Sequence, residues 1–170
     1  MAVAQTYEPI QTYTVPSVTA SVTLSSIPST YTDIVVIGSN LLLNASGLSI
    51  FARVNGDTSG NYSSRILQGN GSTVNNGARS NNIQGLVTGG TFSGAGSSRP
   101  AYFVLHLMNY SDTNTKKTAL YQYGLGSVEI EMGVDMWIST SAINSITFRN
   151  DGSASWAVGS MFTLYGIKAA

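Results

Sequence analysis

Apolar and polar residues alternate along much of this chain, as they do in β-strands that bury one face. From 18 to 25, valine, alanine and leucine alternate with serine and threonine. From 48 to 54, leucine, isoleucine, alanine and valine occupy every second position, and the segment runs into Asn55-Gly56-Asp57. An Asn-Gly pair after alternating hydrophobic residues indicates a hairpin turn. Both segments are therefore predicted to be strands.

The same pattern recurs through the rest of the chain. Further strands are predicted over 33–43, 62–67, 102–108, 116–123, 128–138, 143–149 and 161–168, with turns rich in glycine, asparagine and serine between many of them. No stretch of a dozen residues has helical periodicity with caps. Eight to ten strands in one domain of this length predict an all-β, two-sheet β-sandwich, with the jelly roll favoured and an immunoglobulin-like sandwich as the alternative.

The N-terminal segment differs from the alternating strands. Ile10, Tyr13 and Val15 lie in a short run that ends at a proline. Because proline and the residue before it favour extended backbone, we expect residues 1–16 to form an extended arm. Residues 17–170 then form the sandwich domain.

Residues 68–100 are crowded with glycine, asparagine and serine and contain few apolar residues. This composition predicts a long, loop-rich insertion in the sandwich. A structureless loop of this length is unusual inside a compact domain. Ile83, Leu86, Val87 and Phe92 are the side chains expected to anchor it.

Charge is scarce and balanced. Lysine and arginine total 8, aspartate and glutamate total 8, and charged residues make up 9% of the chain, against about 25% in typical soluble domains. Without a basic excess, nucleic acid and anionic membrane are not expected partners. Low net charge also leaves little repulsion between copies, which permits self-association.

The sequence offers few residues for covalent or metal chemistry. It has no cysteine, and His106, its only histidine, lies between two leucines in a predicted strand. We interpret His106 as a surface or cross-strand packing residue, although any histidine-dependent catalysis would require it.

Glu129, Glu131 and Asp135 are the densest carboxylates. The two glutamates share one strand face, as a glycosidase pair or a shared cation site would require. The preferred interpretation is a solvated face, or salt bridges to Arg65, Arg149 or Lys168. We therefore predict no enzymatic activity, no metal and no cofactor.

Tyrosine is the commonest aromatic residue, with 9 in the chain. Its ring and hydroxyl suit subunit interfaces, the stacking of sugars, or a core. The candidate interface residues are Tyr7, Ile10, Tyr13, Val15, Tyr62, Tyr102 and Tyr110.

Four blocks along the chain resemble a family of small virion structural proteins of tailed bacteriophages. They are Ile27-Pro28-Ser29-Thr30-Tyr31-Thr32-Asp33 through Ile37, Asn61-Tyr62-Ser63-Ser64-Arg65 with Leu67, Gly69-Asn70-Gly71-Ser72, and Phe162-Thr163-Leu164-Tyr165-Gly166-Ile167-Lys168. The blocks extend over nearly the whole chain. The resemblance implies a place in a phage particle and transfers no catalytic residues.

Within such a particle, the resemblance and the low charge favour a capsid decoration or cement protein that bridges capsomers. It would be a homotrimer bound to the major capsid protein, with residues 1–16 lying across a neighbouring subunit. The alternative is a tail or tail-fibre module that contacts tail proteins and binds host-surface glycans. The N-terminus shows no signal peptide, so synthesis in the host cytoplasm and localisation in the virion are expected.

Overall fold

The computed structural model describes residues 6–45, 49–90, 99–126 and 128–168, and these residues form twelve strands and no helix. The strands are β1 (Tyr7–Thr14), β2 (Val22–Leu24), β3 (Asp33–Leu41), β4 (Ile50–Val54), β5 (Tyr62–Gly69), β6 (Val74–Asn82), β7 (Leu86–Gly89), β8 (Ala101–Met108), β9 (Lys117–Leu125), β10 (Glu129–Trp137), β11 (Ile146–Asn150) and β12 (Met161–Ile167). In this part of the chain no helix could span a membrane.

The strands form two antiparallel sheets. The large sheet has eight strands in the order β1-β12-β3-β8-β9-β10-β5-β6, and the small sheet has four in the order β2-β11-β4-β7. The small sheet packs against one face of the large sheet, with β7 contacting β5, β8, β9 and β10. The predicted all-β, two-sheet sandwich is confirmed. The jelly-roll arrangement stays a prediction.

An aromatic cluster joins the two sheets. Phe148 of β11 stacks on Phe162 of β12 with ring centroids 4.9 Å apart. Phe103 of β8 lies 5.3 Å from Phe148, and Trp156 meets Phe162 edge-on at 5.1 Å. All four side chains are buried. Their stacked and edge-on contacts fix how the sheets face each other.

The N-terminal segment is extended, and residues 7–14 form an edge strand of the large sheet. β1 pairs antiparallel with β12 of the same chain. Glu8 stabilises the pairing, because it accepts a 3.0 Å hydrogen bond from the Tyr31 hydroxyl and forms a 2.8 Å ion pair with Lys168. Residues 1–5 of the predicted arm lie outside the described residues.

The region 68–100 contains two strands that its composition did not reveal. β6 pairs with β5 at the edge of the large sheet, and β7 pairs with β4 in the small sheet. Leu86 and Val87 are buried, as expected of anchors, whereas Ile83 is 55% exposed. Phe92, the fourth expected anchor, lies outside the described residues.

Candidate interaction surface

The ordinary relation between hydrophobicity and burial is reversed along β10. Glu129, Glu131 and Asp135 point between the sheets and are at most 3% exposed. The apolar side chains on the same strand point out of the sandwich; these are Ile130, Met132, Val134 and Met136. A strand that buries its acids and exposes its aliphatic residues is the central feature of the candidate site.

Two other residues of β10 hold the strand in this orientation. Gly133 faces inward, where a Cβ atom would lie 2.4 Å from Cε1 of Tyr121 and 2.6 Å from the carbonyl oxygen of Arg65. Trp137 is buried on the same face and donates its indole N–H to Asp57 at 2.7 Å. If β10 shifted by one residue relative to its neighbours, Gly133 and Trp137 would both lie on the outer face, since successive residues of a strand point to opposite faces.

The inward carboxyls are held by polar partners from neighbouring strands. Gln68 of β5 donates to Oε2 of Glu129 at 2.7 Å, and the Tyr121 hydroxyl donates to Oε1 of Glu131 at 2.8 Å. The expected solvated face is therefore wrong. The cations proposed as partners lie elsewhere: Lys168 pairs with Glu8, Arg149 donates to Gln84, and Arg65 donates to the carbonyl of Ser64.

Asp135 is the most deeply placed of these carboxyls. It is 0% exposed, and neither of its oxygens has a hydrogen-bond partner among the described residues. Ser64 and the amide of Val87 are near enough to favour its charged form, but burial outweighs them and raises the pKa of Asp135 well above its ordinary value. Burial also raises the pKa of Tyr121, and the adjacent Glu131 adds to that shift. In the described chain no three acidic or histidine side chains are arranged to hold a metal ion.

The outward side chains of β10 continue across the large sheet as one surface, which we call the outer apolar face. Its members are all between 38% and 65% exposed: Ile37, Leu67, Tyr102, Val104, Leu120, Ile130, Met132, Val134 and Met136. They belong to five adjacent strands, β3, β8, β9, β10 and β5. Gln122 lies among them, in register between Val104 and Met132. An exposed apolar surface of this kind is typical of an interaction site.

The outer apolar face is not flat. Ile130, its most exposed member at 65%, lies in register between Gly124 of β9 and Gly69 of β5. A Cβ atom at Gly124 would have no atom within 4 Å. Gly124 lines a depression of about 440 Å³ beside Ile130, together with Tyr102 and Met132 among others. A second depression, of about 410 Å³, lies between Leu120 and Val134.

Few ionisable groups adjoin this face. Arg65 is in register with Val134. At the other side, His106 of β8 contacts Asp33 at 3.0 Å, and Asp33 also accepts the amide of Asn109 at 2.8 Å. His106 thus has the cross-strand, partly exposed position predicted for it.

The small sheet presents a different outer surface. Thr23 and Thr147 bond to each other there at 2.9 Å, and Arg53 and Arg149 lie on the same side of the sheet. Phe51 is the large apolar residue of that side, and it is 0% exposed beneath the Arg79 guanidinium. Because one outer surface is polar and the other apolar, only the large sheet is suited to apolar docking.

The seven candidate interface residues are distributed over three environments. Tyr102 lies on the outer apolar face at 50% exposure, and Tyr7 is 56% exposed on the edge strand β1. Ile10 and Tyr13 are half-buried against the core, and the remaining three are buried: Val15, Tyr62 and Tyr110. The hydroxyls of Tyr62 and Tyr110 bond within the chain, to Val54 and Pro28.

The aliphatic members of the face were missed from sequence. Their signal is the alternation in 129–136, where hydrophobic residues occupy the even positions and Glu129, Glu131, Gly133 and Asp135 the odd ones. This pattern indicates that one side of β10 is apolar but not which side is buried. Comparison with known protein families, with curated proteins and with solved structures finds no match to this chain.

Proposed function

We propose that this chain is a non-enzymatic structural protein that assembles through its outer apolar face, and that it serves as a capsid decoration or cement protein bridging capsomers of a phage particle. The observation that supports assembly is the exposure of nine large apolar side chains on one sheet face. The phage particle enters the proposal from the sequence blocks that resemble virion structural proteins.

The size of the face suits a stable protein contact. Nine large side chains that are 38% to 65% exposed present roughly 800 Å², which matches the ~800 Å² that each partner buries in an interface of standard size. Water is displaced from both surfaces when such a face is covered, and this provides the driving force. Bridging capsomers in this way would raise the stability of the assembled shell by mass action.

The positions of the ionisable residues support a structural role. His106 lies on the outside of the large sheet beside Asp33, whereas Glu129 and Glu131 are buried between the sheets. The histidine and the glutamates therefore lie on opposite faces of the large sheet. A substrate on either side would meet one group without the other.

Glycan binding by a tail or tail-fibre module is the second candidate. The observation in its favour is Tyr102, an exposed ring on the wall of the depression that also contains the Gln122 side chain. Sugar recognition requires several polar groups around a stacking ring. Since the other exposed side chains around this depression are apolar, namely Ile37, Val104, Ile130 and Met132, the face favours a protein partner.

The experiment compares particles that carry different versions of the protein. Val134 is 49% exposed on the outer apolar face, and Val158 is 60% exposed outside it. We expect Val134→Lys to leave the protein absent from purified particles and to lower their resistance to heat, as complete removal of the protein would. Val158→Lys should be incorporated normally. Particles whose stability and composition are unchanged by removing the protein would contradict the proposed function.

Copy number separates the two candidate functions. Hundreds of copies per particle, with label on the head, would support decoration of a capsid. A few to dozens of copies at the tail, together with glycan binding that is lost in Tyr102→Ala, would support the tail module. The homotrimer and the contact with the major capsid protein stay predictions of the sequence resemblance.

A further inference from the structure

Ile130 and Gly124 form a projection and a hollow side by side. They are register partners on adjacent strands, so their Cα atoms lie about 5 Å apart. Ile130 is the most exposed residue of the outer apolar face, and the depression above Gly124 holds about 440 Å³. A projection next to a hollow is the arrangement that a self-complementary surface requires, because a two-fold axis between them would exchange the two.

We propose that the partner of the outer apolar face is a second copy of this chain, with Ile130 of each copy entering the hollow above Gly124 of the other. The two large sheets would pack face to face, as sheets do in sandwiches, with side chains interdigitating across the contact. The proposal rests on the proposed function and names the occupant of the same face.

Charge and area favour a second copy as this occupant. None of the nine side chains of the face is Asp, Glu, Lys, Arg or His, and the chain as a whole has a formal net charge of +0. Two copies therefore bring few like charges to the contact, with Arg65 beside Val134 the basic residue on that side of β5. The roughly 800 Å² on each side is the amount that a standard interface buries per partner.

A two-fold pair would also provide what a bridge between capsomers needs. One copy has a single outer apolar face. If that face bound the capsid directly, the copy would attach at one site and could not bridge two capsomers. Two copies joined through this face leave their small sheets on the sides away from the contact. The pair then carries two equivalent attachment surfaces.

The first test is the mass of the purified protein in solution as its concentration is varied. We expect the wild type to change from 17.9 kDa to twice that mass, Val134→Lys to remain at the mass of one copy, and Val158→Lys to behave as the wild type. A wild type that stays a single copy at high micromolar concentration overturns the proposal, as does a pair that Val134→Lys leaves intact. A mass of three copies, as the homotrimer predicted from the sequence resemblance would give, also overturns it, because two-fold pairing closes at two.

The second test asks whether the contact is specific. Gly124→Val places a side chain where Ile130 of the other copy would enter, and Ile130→Ala removes the projection. Each should weaken pairing about a hundredfold, since every pair contains two such contacts. Thr118→Val is the matched control, because Thr118 lies on the outer side of β9 away from both depressions. If adhesion were unspecific, Gly124→Val would strengthen it by adding apolar surface.

Mixing the Gly124→Val and Ile130→Ala variants is the most specific test of the proposed geometry. In a mixed pair, Ile130 of the Gly124→Val chain meets an open hollow, and the filled hollow meets the shortened Ala at position 130. Mixed pairs should therefore form more tightly than either variant forms with itself. No gain on mixing would overturn the proposed geometry.

The two proposals fail in distinguishable ways. A wild type that stays a single copy in solution, with Val134→Lys still preventing incorporation into particles, removes self-pairing and leaves the structural role. A specific pair that is absent from particles removes the structural role and leaves self-pairing.

Discussion

The hydroxyl of Tyr121 donates a 2.8 Å hydrogen bond to Oε1 of Glu131, and both side chains are buried between the two sheets. Tyr121→Phe removes this donor and leaves the carboxyl oxygen inside the protein with one partner fewer. We expect the free energy of unfolding to fall by about 1–3 kcal/mol, the usual cost of a broken buried hydrogen bond. Urea denaturation monitored by intrinsic fluorescence measures this free energy.

Tyr165→Phe is the control for this substitution. Tyr165 is half-buried on β12, and its hydroxyl makes no hydrogen bond to the described residues. Its loss should change the free energy of unfolding by less than about 0.5 kcal/mol. Equal effects of the two substitutions would mean that the Tyr121 hydroxyl contributes nothing specific.

Asp135 should make stability depend on pH. Burial raises its pKa in the folded protein above the ordinary value of 3.8. Below that value the carboxyl is protonated in both states; above it the unfolded chain ionises while the folded chain keeps its proton. The folded state binds more protons in this range, so the stability contributed by Asp135 falls as pH rises until the folded pKa is passed.

Asp135→Asn removes the ionisation and keeps the shape of the side chain. We expect the variant to gain stability relative to the wild type as pH rises from 4 to 8, with a slope of at most about 1.4 kcal/mol per pH unit. Burial acts to raise the pKa of Asp57, but hydrogen bonds from Asn61, Trp137 and Ser59 together outweigh it and lower the pKa. Asp57 is common to both proteins, so its contribution cancels in the difference. A difference that stays flat over this range would mean that Asp135 is already ionised when folded.

Lys117 is a buried cation held by backbone oxygens. It is 1% exposed, and its ammonium group donates to the carbonyls of Asp112, Thr115 and Thr140. Lys117→Met keeps the length of the stem but leaves three carbonyls without this donor. The expected loss is about 2–4 kcal/mol in the free energy of unfolding, because hydrogen bonds from charged donors are worth more than neutral ones.

Lys116→Met tests whether the effect of Lys117 depends on burial. The neighbouring Lys116 is exposed, so its substitution should change the melting temperature by no more than a degree or so, within the range of ordinary surface changes. A similar melting temperature for both variants would show that the carbonyl contacts of Lys117 add little.

The sequence predicted the sheets better than the surface. Alternation identified most strands because the period of two is set by backbone geometry alone. It could not reveal β6, where Asn75, Asn76 and Asn82 give no apolar period; this edge strand is formed by pairing with β5. Nor could it assign the faces of β10. That choice depends on Gly133 and Trp137 meeting residues of other strands, which are distant in sequence.

The tyrosines show the same limit. Tyr62 and Tyr102 are each the first residue of a predicted strand, yet the side chain of Tyr62 is 0% exposed and that of Tyr102 is 50% exposed. Which of them faces the core follows from the parity of their positions within β5 and β8. Composition alone assigned both to a candidate interface.

Gly133 should tolerate no side chain, whereas Gly124 should accept one. A Cβ atom at Gly133 would lie 2.4 Å from the Tyr121 ring and 2.6 Å from a backbone oxygen, which cannot move aside cheaply. Gly133→Ala is therefore expected to lower the free energy of unfolding by about 1–3 kcal/mol through overpacking. At Gly124 nothing lies within 4 Å, so Gly124→Ala should leave stability unchanged or raise it by up to about 1 kcal/mol. The free energy of unfolding is measured at concentrations too low for pairing, so that association does not contribute. Equal losses of stability in Gly133→Ala and Gly124→Ala would show that β10 does not depend on Gly133 for its orientation.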